Sequence, residues 1–330
     1  MTEKFKALIV DKQADSFKVG IEEITFADLP VEDVLVKVAY SSINYKDALA
    51  TIPNGNIVKE YPFIPGVDIA GTVVSSKNAA FKAGDEVIAL GYGIGVSHFG
   101  GYSEYASLPA EWVIPLPKGL TMKEAMIYGT AGFTAALSID RLEANGLKPE
   151  QGEVLVTGAT GGVGSMAVAL LADKGYNVVA SSGKAQQTAF LQKIGASSVV
   201  SREAVYDGKI KALGTQKWAG AVDTVGGEVL ASLLSQIKYG GSVAASGLTA
   251  GTAVPTMVFP FILRGINLLG IDSVEFPSTD RRALWQRLAT DLKPQNLEQL
   301  IDEEIRLEDL PTVLPTLLKG QAVGRYLVKL

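Results

Sequence analysis

Near the middle of the chain, Val154-Leu155-Val156 runs into Thr157-Gly158-Ala159-Thr160-Gly161-Gly162-Val163-Gly164, and apolar residues continue through 163–171. The first run predicts a buried strand, the last a helix, and the glycines at 158, 161 and 164 predict a tight turn between them. Such a turn lets backbone N–H groups approach a pyrophosphate, and the helix N-terminus adds partial positive charge. The first glycine gap departs from the G-x-G-x-x-G form, and alone the stretch also fits a glycine-rich turn without a ligand. The segments that follow narrow the choice. Residues 177–180, 198–200, 220–227, 241–247 and 267–271 predict five further strands, while 184–194 and 229–237 predict helices between them. This alternation predicts an α/β domain with a doubly wound parallel sheet of Rossmann type, built to bind a dinucleotide.

The end of the second strand of that domain bears on which dinucleotide. An NAD site places Asp or Glu there, on the adenosine ribose hydroxyls. This chain has Ser181-Ser182-Gly183-Lys184 instead. No carboxylate repels a 2′-phosphate, Ser182 and Lys184 are there to receive one, and Arg202 adds a second cation. The expected cofactor is NADP(H). Alternatively, Lys184 only solvates the first turn of its helix.

Composition removes several classes of chemistry. The chain has no cysteine and a single histidine, His98, in the glycine-rich loop 91–101. Disulfides, thiolate zinc sites and cysteine nucleophiles are excluded, and no G-x-S-x-G elbow accompanies His98, which reads as a surface residue. A net charge of −5 argues against a general nucleic-acid surface. No run is long enough to span a bilayer, and the first residues lack a secretory apolar core. The expected setting is the cytoplasm, with neither membrane nor nucleic acid as a partner.

Before the glycine turn the pattern is β-rich: 5–10, 34–40, 69–74 and 86–90 predict strands. Residues 121–128 and 130–142 predict helices leading into the nucleotide half, and 282–292 a later one. Residues 325–330 predict a strand that rejoins the β-rich part. With Asn44-Tyr45-Lys46-Asp47, Pro65-Gly66-Val67-Asp68-Ile69-Ala70-Gly71 and Gly129-Thr130-Ala131-Gly132-Phe133-Thr134, the chain resembles the medium-chain dehydrogenase/reductase superfamily over its full length. The resemblance implies a β-rich GroES-like catalytic domain in 1–124 and 300–330, around an NADP-binding Rossmann domain in 125–299. Zinc members hold catalytic zinc with cysteine and histidine in the corresponding loops. Here Asn44 and Val67 stand at those places, and the cysteine-rich lobe is absent. The chain therefore resembles the zinc-free quinone oxidoreductase and enoyl reductase branch. Asn44-Tyr45-Lys46-Asp47-Ala48-Leu49 with Pro260-Phe261-Ile262-Leu263-Arg264 most resembles its acrylyl-CoA reductase group.

Several site assignments follow from that resemblance. Thr160, Gly161, Gly162 and Val163 match the pyrophosphate loop; Ser182, Gly183 and Lys184 match the adenosine phosphate site. Leu248, Ile262 and Ser273 fall where the family brings the chain to the nicotinamide end, although strand-end packing and turn formation also account for them. Loss of zinc removes a Lewis acid and disfavours simple alcohol oxidation. An activated alkene instead accepts hydride at the carbon β to a carbonyl, leaving an enolate that needs hydrogen-bond donors and a proton. Tyr45, Asn44 and Lys46 are the candidate donors. Tyr45 equally fits packing beside the nicotinamide, since phenols are weak acids at neutral pH. Asp68 is a candidate catalytic carboxylate, or an orienting one paired with a cation. Arg325 has two readings, a contact to cofactor or acyl-CoA phosphate, or a surface arginine. The expected substrate is a small enoyl-CoA such as acrylyl-CoA, with a free enone or quinone as the alternative, and the expected assembly is a homodimer. A non-enzymatic NADPH-binding protein is a third reading. A short-chain reductase is excluded, because no tyrosine has a lysine four positions later.

Overall fold

The computed structural model describes residues 3–13 and 16–330. Two compact units divide the chain: Met1–Thr130 with Val274–Ala289 and Ile301–Leu330, and Ala131–Ser273 with Thr290–Leu300. The division anticipated from sequence ran at 124/125 and 299/300; the contact-defined first unit also takes back Val274–Ala289.

The first unit opens with an antiparallel pair, β1 (Lys4–Gln13) and β2 (Ser16–Thr25). There follow β3 (Val34–Ser42), α1 (Tyr45–Ala50), β4 (Asp68–Ser76), β5 (Glu86–Leu90), β6 (Tyr105–Leu108) and β7 (Val113–Pro115). Every second residue at the start of β3 is apolar, and Val34, Val36 and Val38 are buried against Ile69, Val73, Val87, Leu108 and Val113. That period is what a half-buried strand requires. α2 (Met122–Ala144) is broken at Gly129, whose φ of 49° and ψ of −155° are not helical, so the two predicted helices meet there.

The second unit contains β8 (Glu153–Val156), α3 (Gly162–Asp173), β9 (Asn177–Ser181), α4 (Thr188–Lys193), β10 (Ser198–Val200), β11 (Trp218–Asp223), α5 (Gly227–Leu234), β12 (Ile237–Ala245), α6 (Phe259–Arg264) and β13 (Asn267–Gly270). All neighbours are parallel, in the order β10-β9-β8-β11-β12-β13. This is the doubly wound Rossmann order, and it reverses between β8 and β11. Four predicted elements shift, among them the strand expected over 241–247, which is β12 and runs over 237–245. The strand expected over 220–227 stops at Asp223, because its buried carboxylate accepts the Thr157 hydroxyl at 2.7 Å and the Gly226 N–H at 2.7 Å, turning the chain. The helix expected over 229–237 ends at Leu234, and Ile237 already opens β12. The helix expected from 184 begins only at Thr188, after a 3-10 turn over Ala185–Gln187.

The chain returns to the first unit through α7 (Ser278–Leu288), β14 (Ile301–Arg306), α8 (Leu310–Leu318) and β15 (Arg325–Lys329). α7 begins four residues before the predicted helix and ends four before its predicted end; Leu284, Trp285 and Leu288 are its buried face. The first unit's main sheet runs β14-β15-β3-β4-β5-β7, with β6 also on β3. The returning strand is therefore an interior one, between β14 and β3. Strands β2, β6, β7 and β14 have no counterpart in the sequence reading. No described helix is long and apolar enough to cross a membrane.

Candidate functional site

In the second unit the turn after β8 lies at the point where the strand order reverses. Helix α3 starts at Gly162 with Gly161 as its N-cap, and no side chain caps it. No side chain of the protein takes its first backbone N–H groups, which a helix N-terminus can offer to an anion. Gly164 must lack a side chain, since a Cβ there would overlap the Gly158 carbonyl oxygen and lie 2.8 Å from Ala159 Cα. The donor set and the closely packed loop fit a dinucleotide pyrophosphate. Thr160, Gly161, Gly162 and Val163 are brought together at this turn. At the end of β9, the Ser182 hydroxyl accepts the Lys184 backbone N–H at 3.0 Å. The Arg202 guanidinium lies directly over Gly183, where any Cβ would collide with it. The structure thus gathers Ser182, Gly183, Lys184 and Arg202 at one strand end. Of the three nicotinamide-end candidates, Leu248 and Ile262 are 62% and 66% exposed. Ser273 is buried and its hydroxyl accepts that of Thr134 at 2.8 Å.

The first unit holds a buried polar cluster where α1, β4 and β15 begin. Asn44 is the N-cap of α1, and Asp47, three residues on, accepts its backbone N–H at 2.8 Å, forming a capping box. That turn leaves Tyr45 as the first helical residue, 48% exposed. Asp68 is fully buried. It accepts the Asn44 side-chain N–H at 2.7 Å, the Thr130 N–H at 2.8 Å, the Thr130 hydroxyl at 2.6 Å and the Ser42 hydroxyl. Arg325 lies 3.9 Å from it. The break at Gly129 brings the chain onto this cluster, and a Cβ there would overlap Asp68 and Ser42 and sit 2.9 Å from Arg325.

Arg325 fits neither of its two sequence readings. It is 2% exposed, and it donates to the carbonyls of Ile127 at 2.9 Å and Ile43 at 3.2 Å, to Asn44 at 3.3 Å and to Ser42 at 2.7 Å. Burial lowers its pKa, and the Asp68 and Asp47 carboxylates oppose that shift. His98 also departs from the surface reading. Its side chain is largely buried, edge-on to Trp112 at 5.2 Å and 3.7 Å from a Glu32 oxygen.

A zinc ion does not fit the first unit's residues. Val67 offers no donor atom, and the Asn44 amide is already bonded to Asp68 and Arg325. Among the described residues, no group of three or more His, Asp or Glu has metal-holding geometry. Sequence reasoning missed Ser42 and the buried Tyr102, whose hydroxyl donates to the Ser42 carbonyl at 3.1 Å, and treated Asp47 and Thr130 only as parts of motifs. The Asn44/Asp47 spacing was the one local sign available, since it reads as a capping box.

Two family models match: the alcohol dehydrogenase GroES-like domain over residues 30–118, and zinc-binding dehydrogenase over residues 162–290. The chain belongs to the medium-chain dehydrogenase/reductase superfamily and is an oxidoreductase that works with a nicotinamide cofactor. It is 58% identical to YhfP of Bacillus subtilis, named a quinone oxidoreductase, over 100% of both chains. The solved YhfP structure, with NAD bound, superposes with a TM-score of 0.98 over 100% of both chains. The acrylyl-CoA reductase AcuI of Ruegeria pomeroyi is 47% identical over 98% of each chain. The Escherichia coli YhdH structure with bound NADPH is 46% identical, with a TM-score of 0.94 over 98% of this chain and 99% of that one.

Proposed function

We propose that this chain is a zinc-independent, NADPH-dependent reductase of the activated C=C of a small enoyl thioester such as acrylyl-CoA. The observation that carries the reading is the exposed Tyr45 at the head of a helix anchored by Asn44, Asp68 and Arg325, where the described residues offer no metal donor set. The likeness to AcuI supports the thioester. When bound, the dinucleotide would supply hydride to the carbon β to the thioester carbonyl, and water the proton that the α carbon takes as the enolate collapses. Tyr45 donates a hydrogen bond to the carbonyl oxygen as enolate charge develops there. The second N–H of the Asn44 amide, beyond the one given to Asp68, is the other donor. Asp68 and Arg325 hold Asn44 in place, and Asp68, fully buried, orients rather than transfers a proton. Stabilising charge that grows only in the transition state is what raises turnover.

NADPH is favoured over NADH by Ser182, Lys184 and Arg202 at the end of β9, where no carboxylate stands. Leu248, Ile262 and Ser273 are assigned to the nicotinamide end. A quinone or enone substrate is the second reading, favoured by the name of YhfP. The deciding experiment follows NADPH and NADH oxidation with acrylyl-CoA, free enones and quinones, with and without a strong chelator. Fastest turnover with NADPH and acrylyl-CoA, unchanged by chelation, is expected. Preference for a free quinone selects the second reading, and NADPH binding without any turnover selects a non-enzymatic role.

The proposed assembly is a homodimer in the cytoplasm. β13 is the last strand of its sheet, and the chain just before it and within it exposes Met257, Val258, Phe259, Leu263 and Leu268. An unpaired strand edge flanked by apolar side chains is suited to pairing with a second copy. Light scattering should give twice the chain mass, and Leu268→Lys should lower it; a monomeric parent protein rejects the assignment.

A further inference from the structure

We infer that Asp47 is a positioning residue that sets the Tyr45 hydroxyl by clamping the head of α1 to the segment leading into Asp68. The inference rests on the proposed role of Tyr45. Asp47 is 1% exposed, and its two carboxylate oxygens hold different stretches of chain. One accepts the Asn44 N–H at 2.8 Å, immediately before Tyr45. The other accepts the Val67 N–H at 3.0 Å, immediately before Asp68. A capping carboxylate at this helix position works equally well on the surface, so a cap alone does not account for the burial. The second bond distinguishes it. It ties the exposed Tyr45 turn to a loop some twenty residues away, and that loop carries the carboxylate on which Asn44 and Arg325 converge.

The surroundings leave Asp47 few other tasks. Among the described residues no cation hydrogen-bonds it: the Arg325 hydrogen bonds run to Ile127, Ile43, Asn44 and Ser42. The groups facing it are Asp68 from β4, the Tyr102 hydroxyl from the loop before β6, Arg325 from β15, and Lys46 on its own helix. Burial and the Asp68 charge push Asp47 up to about 7. As pH falls through that value the carboxylate gains a proton, and one of its two acceptor oxygens becomes a hydroxyl. The clamp loosens on the acid side.

The test uses full-length protein labelled with 3-fluorotyrosine, the Tyr45 resonance being assigned by its loss in Tyr45→Phe. Asp47→Ala is expected to shift or broaden that resonance and to lower kcat with acrylyl-CoA by ~100-fold, the effect of a misplacement of about 1 Å, with NADPH affinity unchanged. Asp47→Asn keeps one acceptor oxygen. It should recover part of the lost turnover and flatten the fall of kcat expected of the parent below about pH 7. An unmoved Tyr45 resonance in either variant overturns the clamp, whatever happens to kcat. A moved resonance with parental kcat overturns its catalytic consequence. If Asp47→Ala does not fold, Asp47→Asn decides by the same two readings. If the parent turns over none of the substrates, the proposed function fails, while the fluorine spectrum still decides whether Asp47 places Tyr45.

Discussion

The turn after β8 and the cluster around Asp68 are built from different materials. At the turn, Gly162 and Val163 offer backbone N–H groups with no side-chain cap, and the loop closes because Gly164 has no Cβ. Around Asp68, the contacts are side chains and one backbone N–H, that of Thr130, brought in from other parts of the chain, and a buried arginine balances the charge. The first arrangement costs little to leave open to water, because its donors sit at a helix end. The second is held in a dry interior, where removing one member strands the others. A backbone site tolerates change in the side chains around it but not in its glycines. The polar cluster responds to any change in charge.

The largest effect is expected where a buried charge is stranded. Arg325→Leu should lower folding stability by ~3–5 kcal/mol, because Asp68 is left buried without its cation. Denaturant unfolding measures it, and adding Asp68→Asn should recover part of the loss. If the double variant is no more stable than the single, the two residues are not energetically coupled.

Tyr45 probes the same region from its exposed side. Removal of a preorganised oxyanion donor costs about 2–4 kcal/mol in the transition state, so Tyr45→Phe should reduce turnover by up to that much and spare NADPH affinity. If Tyr45 packs against the nicotinamide, Phe is tolerated and Ala weakens cofactor binding. Parental kinetics and affinity in both variants would remove Tyr45 from the site.

The backbone site is broken by one methyl group. Gly164→Ala should weaken NADPH binding by ~1–3 kcal/mol, the usual scale of overpacking, as the Gly158 carbonyl is displaced. A fluorescence titration reports it, and undiminished affinity would show that the loop can yield. The smallest effect belongs to the exposed rim of that site. Lys184→Ala should cost NADPH up to about 1 kcal/mol, the scale of an exposed ion pair, and leave NADH unaffected. Equal weakening of both cofactors would end the assignment of Lys184 to the 2′-phosphate.

These two regions were unequally readable before folding. β8, the glycine turn and α3 are consecutive in the chain, so apolar period and glycine placement predicted them within a residue or two. β5 and β10 were read with their observed ends. The strand reading ran on past Asp223 because a carboxylate that stops a strand by capping its own turn looks, in sequence, like any polar residue in a loop. Short strands such as β6 and β7 carry too few alternations to stand out. His98 read as exposed because nothing in its loop announces that Trp112 packs on it.

The sequence by itself determined the parallel sheet, the glycine turn, the absence of thiolate chemistry and the superfamily resemblance, because each depends on neighbouring residues or on composition. Only the tertiary structure decided that Arg325 is an interior cation rather than a surface one, and that Ser42, Asn44 and Thr130 converge on Asp68. It also decided that Asp47 spans two loops. Those contacts join residues tens to hundreds of positions apart, and their strength comes from exclusion of water. Neither the proximity nor the dryness leaves a periodic trace along the chain.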